Sequence, residues 1–268
     1  MKETSTIEEF RVRLLDSDIN VMSISPANLI AKDTAIIFLH DALGSIEQWK
    51  TFPDRVASEL GMKAYVYDRL GHGKSDPMHM VRDKNYLHVE AYIYLRGLLE
   101  ILNPQKIILV GHSDGATISL LYASKFKNVE AVVAMSPHVF VEDITRRGIE
   151  DFAQKYQAKH LSKALERFHG SKTKTLFDAW HDTWLSRNFS DWNIQDQMSQ
   201  IQCPVLLIQG LDDEYGTLQQ IDSIASQLPQ APQQVLIPEC AHFPHVTARK
   251  AVETSILEFI RTNMLVPN

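Results

Sequence analysis

The sequence has only two cysteines, Cys203 and Cys240, among its 268 residues. They fall at the start of one predicted strand and at the end of its predicted parallel neighbour, which separates them by roughly 20 Å at about 3.3 Å per residue. That separation is too long for a disulfide bond. Two free thiols are typical of a reducing compartment, so we expect a cytoplasmic protein.

Long hydrophobic runs and an excess of positive charge are also absent. No apolar segment approaches the length of a membrane-spanning helix, and residues 1–9 include acidic residues where a secretory signal would be apolar. The 27 Lys and Arg residues are outnumbered by 33 Asp and Glu residues, which gives a formal net charge of −6. We therefore expect neither a nucleic acid nor a membrane as a partner.

Short apolar runs that alternate with helical patterns make up most of the chain. Continuous apolar runs are typical of strands covered on both faces, so the alternation predicts an α/β fold with a mostly parallel, helix-covered sheet. Residues 10–15 and 19–24 alternate apolar with polar and predict an antiparallel edge hairpin. The other predicted strands are residues 35–39, 63–67, 106–110, 129–135, 204–209 and 234–237. Helices are predicted up to residue 60, over 86–102, 116–123 and 218–228, and up to residue 264.

The alternation stops between residues 138 and 201. This segment is polar, helical in pattern and rich in tryptophan. We predict a core domain formed by residues 1–137 and 202–268, interrupted by a helical cap insertion at 138–201.

The segment Gly111-His112-Ser113-Asp114-Gly115 lies between a predicted buried strand and a predicted helix. A serine at such a turn exposes its hydroxyl above a helix N-terminus, where free N–H groups favour the negative charge that nucleophilic attack generates. The two glycines leave room where the chain turns too tightly for Cβ atoms. Ser113 is therefore the candidate nucleophile.

A serine nucleophile needs a base, and the base needs an acid that orients it. Two loops that follow the last two predicted strands supply both. The candidate acids are Asp212 and Asp213, and the candidate bases are His242 and His245. Because parallel strands end at one edge of a sheet, both loops can reach Ser113.

The order serine, acid, histidine resembles that of the α/β-hydrolase superfamily, and the resemblance covers nearly the whole chain. Members of the family place the acid three residues after a glycine, which favours Asp213 over Asp212. The same matching favours His242 over His245. The chain is thereby identified as a capped serine hydrolase.

Residues 40–45, His-Asp-Ala-Leu-Gly-Ser, resemble the oxyanion loop of the same family. The resemblance assigns the oxyanion hole to the backbone N–H groups of Ala42 and Asp114. Asp41 stands where the family mostly has glycine, and a carboxylate that points at an oxyanion would oppose catalysis. We expect the side chains of Asp41 and Asp114 to turn away and to bind neighbouring loops through backbone hydrogen bonds.

Four residues are candidates for substrate binding. Trp180 and Trp184 share one face of a predicted helix with Phe177; most of such a stripe is core, and part of it could line a cavity. His138 begins the insertion and could reach the same cavity, as could Asp41.

The resemblance implies hydrolysis of a small, partly apolar ester or lactone through an acyl-enzyme. Carbon–carbon bond hydrolysis of a dioxo acid, with Arg69 as a possible partner of an anionic substrate, is one alternative, and a small-molecule receptor is another. Dehalogenation is disfavoured, because family members that perform it have Asp at the position of Ser113. The sequence leaves open whether the chain is a monomer or a homodimer.

No cofactor is expected. The eleven histidines contain no paired metal-ligand spacing. Residues 71–75, Gly-His-Gly-Lys-Ser, suggest a phosphate-binding loop, but that motif and the dinucleotide fingerprint need glycines where Asp68 and Asp76 stand.

Overall fold

A computed structural model describes residues 4–79, 81–158 and 160–264 of the chain. Eight strands form one sheet in the order β1-β2-β4-β3-β5-β6-β7-β8. The strands are β1 Thr6–Leu14, β2 Ser17–Ser25, β3 Ala31–Leu39, β4 Met62–Tyr67, β5 Lys106–His112, β6 Val129–Met135, β7 Val205–Gly210 and β8 Gln233–Ile237.

The sheet confirms the predicted mostly parallel architecture. β2 pairs antiparallel with β1 and with β4, while the other neighbours pair in parallel. The predicted edge hairpin is confirmed, but its strands are longer than the alternating pattern indicated. They pair from Thr6 opposite Ser25 to Leu14 opposite Ser17. Leu15 makes the turn in the left-handed region, with φ of 53°.

Helices cover both faces of the sheet. They are α1 Phe52–Leu60, α2 Tyr86–Val89, α3 Arg96–Leu102, α4 Asp114–Lys125, α5 Asp143–Gln157, α6 His160–His169, α7 Thr173–Leu185, α8 Leu218–Gln227, α9 Pro244–Thr247 and α10 Arg249–Met264. A π-helical segment, Glu90–Leu95, joins α2 to α3, so the predicted helix over 86–102 is helical throughout. None of the helices in the described ranges is long and apolar enough to cross a membrane.

The apolar side chains form two clusters, one on each face of the sheet. On one face, Phe52 of α1 and Ile256 of α10 pack against strand residues such as Phe38. On the other, α4 is buried along almost its whole length, and Ile118 packs with Ile37 and Leu109. This packing follows from continuous apolar strands, which need a cover on both sides.

The segment between β6 and β7 contains α5, α6 and α7 together with short 3-10 turns. Apolar side chains of these helices, including Ile149, Leu176 and Trp184, join the same cluster as α4. The segment therefore lies over the α4 face. The division into a core domain and a cap at residues 138–201 stays a prediction.

Two glycines allow β5 and α4 to pass close to neighbouring backbone. A Cβ on Gly115 would overlap the carbonyl oxygen of Leu39, and a Cβ on Gly111 would overlap the carbonyl group of Gly115. Neither glycine has a positive φ. Both positions require glycine because a Cβ atom would overlap neighbouring backbone atoms, and not because of the backbone conformation.

We expect Gly115→Ala to lower the free energy of unfolding by about 3 kcal/mol, because the clashing atoms are backbone atoms that cannot move aside. Gly170→Ala is the matched control. Gly170 has φ of 57° but no atom within 4 Å of a built Cβ, so its substitution should cost only the backbone strain of about 1 kcal/mol. Urea denaturation of both variants measures this difference, and equal losses would contradict the steric explanation.

Candidate active site

Ser113 lies at the junction of β5 and α4 in a strained conformation. Its φ is 53° and its ψ is −119°, a combination that costs a non-glycine residue free energy. Its N–H donates to the carbonyl of Met135 at 2.9 Å, and its own carbonyl accepts from the amide of Thr117 at 3.0 Å. These bonds hold the turn, which raises the side chain above the end of the sheet.

Ser113, His242 and Asp213 form a continuous hydrogen-bonded chain. His242 Nε2 lies 3.0 Å from Ser113 Oγ, and His242 Nδ1 lies 2.8 and 2.9 Å from the two carboxylate oxygens of Asp213. All three residues are buried. The loops after β7 and β8 thus meet the β5–α4 turn, as the topology of a parallel sheet predicts.

The other candidate acid, Asp212, and the other candidate base, His245, take no part in these hydrogen bonds. Asp212 is exposed, and its amide donates to the carbonyl of Cys240. His245 is buried against Trp49, with ring centroids 4.7 Å apart. Of the two acids, Asp213 is the one within hydrogen-bonding reach of a candidate base. Of the two bases, His242 is the one within hydrogen-bonding reach of Ser113.

The carboxylate of Asp213 is held by three further donors. The amides of Tyr215 and Gly216 donate to Oδ1 at 2.8 and 3.2 Å, and Gln209 Nε2 donates to Oδ2 at 3.1 Å. Asp213 does not cap α8, because the hydroxyl of Thr217 does so. Gln209 has no sequence signal, since it is one residue within an apolar strand.

Mutual interaction shifts the pKa values of the acid and the base in opposite directions. Burial on its own would raise the pKa of Asp213, but the imidazole of His242 and the amide of Tyr215 lower it to about 2. Burial would likewise lower the pKa of His242, but the charge and hydrogen bond of Asp213 raise it above the usual range. The pair is suited to accept a proton on His242.

Three histidine rings hold the loop that contains Ala42 by binding its backbone carbonyl groups. Ring nitrogens of His40, His72 and His169 bind the carbonyl oxygens of residues 41, 42 and 43 at 2.8, 3.0 and 2.9 Å. Among the described residues, neither Ala42 N–H nor Asp114 N–H donates to a protein acceptor. Two free backbone donors therefore remain beside Ser113.

The Asp114 side chain is turned to other side chains and not to backbone, which corrects the predicted backbone hydrogen bonds. Its carboxylate accepts from Tyr86 Oη at 3.1 Å and lies 3.5 Å from Arg69 Nη1. Trp184 Nε1 in turn donates to Tyr86 Oη at 2.8 Å. No local pattern indicates these hydrogen bonds, because Tyr86 is distant from Ser113 along the sequence.

Asp41 follows the prediction only in part. Its Oδ1 accepts from the amide of Leu43 at 3.0 Å, which is the expected backbone bond. Its side chain remains 17% exposed and contributes to the wall of the cavity above Ser113, so it does not turn away. Its Oδ2 lies 3.5 Å from His112 Nδ1.

A cavity of about 430 Å³ opens above Ser113 and His242. The four predicted substrate-binding residues, Asp41, His138, Trp180 and Trp184, all line it. Phe177, the third member of the predicted aromatic stripe, instead stacks on Tyr156 at 3.8 Å between ring centroids. Burial and the nearby His242 lower the pKa of His138 to about 3, so its ring is neutral at ordinary pH.

Most of the residues that line this cavity carry no signal in the sequence. Helices α5 and α6 contribute an apolar wall, and the charged or polar lining residues include one lysine. The apolar residues include Ile149, Phe152, Leu161, Leu165 and Phe168, and the polar ones include Gln48, Lys155 and Glu214. Amphipathic helices signal buried apolar faces, but not which faces border a cavity.

Within the described ranges, no group of three or more His, Cys, Asp or Glu side chains could hold a metal ion. The histidines around residues 41–43 bind backbone groups instead. His40 Nε2 and His169 Nδ1 accept hydrogen bonds from the amides of Arg69 and Gly73, both at 3.0 Å.

Comparisons with known proteins agree with the fold. A sequence model described as the alpha/beta hydrolase family matches residues 36–254. The chain is 21% identical over 253 residues to a 2-hydroxy-6-oxononadienedioate/2-hydroxy-6-oxononatrienedioate hydrolase of Comamonas testosteroni, covering 84% of this chain and 87% of that protein. It is 22% identical over 221 residues to a proline iminopeptidase of Saccharolobus solfataricus, covering 67% and 70%. The structure of an enol-lactonase from Burkholderia xenovorans superposes with a TM-score of 0.70 at 14% identity, covering 94% of this chain and 99% of that one.

We expect Asp213→Asn to lower the pKa of His242, because the substitution removes the charge that opposes the effect of burial. Asp212→Asn is the matched control, since it removes the adjacent exposed carboxylate. An NMR titration of the His242 ring in both variants measures the shift. An unchanged His242 pKa in Asp213→Asn, or an equal shift in Asp212→Asn, would contradict the assigned pairing.

Proposed function

The chain belongs to the alpha/beta hydrolase family, and on that premise we propose that it is a serine hydrolase of a small, partly apolar ester or lactone. The observation that carries the proposal is the unbroken chain of hydrogen bonds from Asp213 through His242 to Ser113. A serine hydroxyl becomes a nucleophile when an oriented base can take its proton.

In the proposed reaction, His242 takes the proton of Ser113 as Oγ bonds to the substrate carbonyl carbon. Asp213 stabilises the imidazolium that forms, and the N–H groups of Ala42 and Asp114 donate to the oxyanion. The tetrahedral intermediate then expels the alcohol oxygen, which receives the proton from His242. Water repeats these steps on the acyl-enzyme, releases the acid and restores Ser113.

The cavity supports the proposed substrate class. Its volume of about 430 Å³ fits a small molecule, and its wall includes the apolar side chains of Ile149, Leu165 and Trp180. A partly apolar acyl or alcohol group would replace water against this wall. The ring of His138, which is neutral at ordinary pH, forms part of the same wall.

Hydrolysis of a carbon–carbon bond in a dioxo acid is the second candidate. It is favoured by the 21% identity to the hydrolase of Comamonas testosteroni, whose name describes a dioic acid substrate. Arg69, the expected partner of an anionic substrate, is fully buried against Asp114 and does not line the cavity. Lys155 is the cation among the described lining residues, and the acidic residues Asp41, Asp114 and Glu214 lie in the same wall. This charge balance favours an uncharged ester or lactone.

We expect the purified protein to hydrolyse p-nitrophenyl acetate and butyrate, and Ser113→Ala to lower kcat at least about 10³-fold through loss of the nucleophile. Ser124→Ala is the matched control: it removes a buried hydroxyl from the same helix, where Ser124 bonds to the carbonyl of Leu121. It should leave kcat unchanged within about twofold.

Absence of Ser113-dependent turnover with both esters would contradict the ester proposal. Ser113-dependent cleavage of a 2-hydroxy-6-oxo dioic acid, in the absence of ester turnover, would assign the second candidate.

A further inference from the structure

The fully buried side chain of Arg69 lies between the loop at residues 40–45 and the turn at Ser113. Its Nη2 donates to the carbonyl oxygen of Asp41 at 2.7 Å, and its Nη1 lies 3.5 Å from Asp114 Oδ2. Its Nε has no partner within the described ranges. The sequence suggested Arg69 as a partner of an anionic substrate, but the guanidinium is directed at these two segments of the protein instead.

The contact with Asp41 orients the first candidate oxyanion donor. The carbonyl of Asp41 and the N–H of Ala42 belong to one planar trans peptide group, so they point in opposite directions. Arg69 Nη2, His40 Nδ1 and the amide of Gly44 bind this carbonyl oxygen at 2.7, 2.8 and 3.2 Å. The Ala42 N–H is therefore turned away from the guanidinium, and Ala42 lines the cavity of the candidate active site.

The backbone of Arg69 supports the same carbonyl through His40. Arg69 N–H donates to His40 Nε2 at 3.0 Å. Burial lowers the pKa of His40 well below its usual range, so the ring is neutral and carries a single N–H. Because Nε2 accepts, the ring proton is on Nδ1, which faces the carbonyl oxygen of Asp41. Arg69 thus acts on this carbonyl both directly and through His40.

The contact with Asp114 concerns the second candidate donor. The N–H of Asp114 directly follows Ser113, and the carboxylate of the same residue would repel an oxyanion if it were left unpaired. Tyr86 Oη donates to this carboxylate at 3.1 Å, and Arg69 supplies the opposite charge. Burial would lower the pKa of Arg69, but the carboxylates of Glu90 and Asp114 raise it, so the guanidinium stays charged.

We propose that Arg69 is a positioning residue for the oxyanion hole, a single cation that orients the Ala42 N–H and neutralises the carboxylate of Asp114. This role rests on the proposed function, because it serves the hydrolysis of an ester. A hydrogen bond from a cation to a peptide carbonyl also polarises the peptide group, which makes the Ala42 N–H a stronger donor. Arg69 does not line the cavity, so it acts through the two backbone donors and not on the substrate.

The first test measures hydrolysis of p-nitrophenyl butyrate by two variants. Arg69→Met removes the cation and leaves Asp114 unpaired, so kcat should fall at least about 100-fold. Arg69→Lys keeps the charge and so favours folding, but an ammonium group lacks the forked geometry that reaches two segments. Its kcat should fall about 30-fold and its KM should change by about threefold or less, because the apolar cavity wall stays intact. If Arg69→Met does not fold, Arg69→Lys carries the test.

A trifluoromethyl ketone separates positioning from a purely structural role. With butyl trifluoromethyl ketone, Ser113 Oγ bonds to the carbonyl carbon, His242 takes the hydroxyl proton and the carbonyl oxygen becomes an oxyanion. The inhibition constant therefore reports the donors around that oxygen, and it should rise about 30-fold in Arg69→Lys, in step with the loss of kcat. A reduced folded fraction would lower kcat alone. An unchanged inhibition constant in Arg69→Lys would overturn the proposal.

Arg249→Lys is the matched control. Arg249 also joins two segments, because its Nε donates to Glu253 at 2.7 Å and its Nη2 donates to Thr51 at 2.9 Å. It does not line the cavity of the candidate active site. Its kcat and its inhibition constant should both stay within about twofold of those of the unsubstituted protein.

A measurement independent of activity distinguishes failure of this proposal from failure of the proposed function. The backbone ¹H–¹⁵N signals of Ala42 and Asp114 should both shift in Arg69→Lys, because both residues lose contacts with the guanidinium, and neither should shift in Arg249→Lys. If no ester is turned over, the proposed function fails, and these signals still decide whether Arg69 holds the two N–H groups. Signals of Ala42 and Asp114 that do not shift in Arg69→Lys would overturn the proposal.

Discussion

The candidate active site depends on the contacts that the fully buried guanidinium of Arg69 makes with Asp41 and Asp114. Arg69 Nη2 donates to the carbonyl of Asp41 at 2.7 Å, and its Nη1 lies 3.5 Å from the carboxylate of Asp114. A cation withdrawn from water is stable only while its partners stay in place. Arg69 therefore holds the loop at residues 40–45 and the turn at Ser113 at a fixed separation, and Tyr86 extends this link to Trp184 on α7.

Histidine has an unusual structural use around the same loop. His40, His72 and His169 come from three separate segments, and each binds one of three successive carbonyl groups. Burial lowers the pKa of all three rings, so they remain neutral. Neutral rings suit His40 and His169, which must also accept a hydrogen bond from a backbone amide. His169 ends α6, and it connects the helical insertion to the loop.

The sheet could be predicted from local signals, and its topology brings the loops that contain Ser113, the candidate acids and the candidate bases to one edge. The choice of Asp213 and His242 within those loops came from the resemblance to the α/β-hydrolase family. Apolar runs mark strands, and parallel strands bring their following loops to one edge. The partners of Asp114 could not be predicted, since Arg69 and Tyr86 reach it only after α2 packs on α4. The same holds for the position of Asp41, whose carboxylate lies 3.5 Å from the His112 ring of a different loop. Residues that act through long-range contacts have no periodicity or spacing to reveal them.

The central claim is that His242 activates Ser113 as a nucleophile, and covalent labelling tests it most directly. The protein would be incubated with a fluorophosphonate, which traps activated serines, and analysed by intact mass and peptide mapping. We expect a single adduct, located on Ser113, that forms at least about 10³-fold more slowly in His242→Ala. No adduct, an adduct on another residue, or equal labelling of His242→Ala would contradict it.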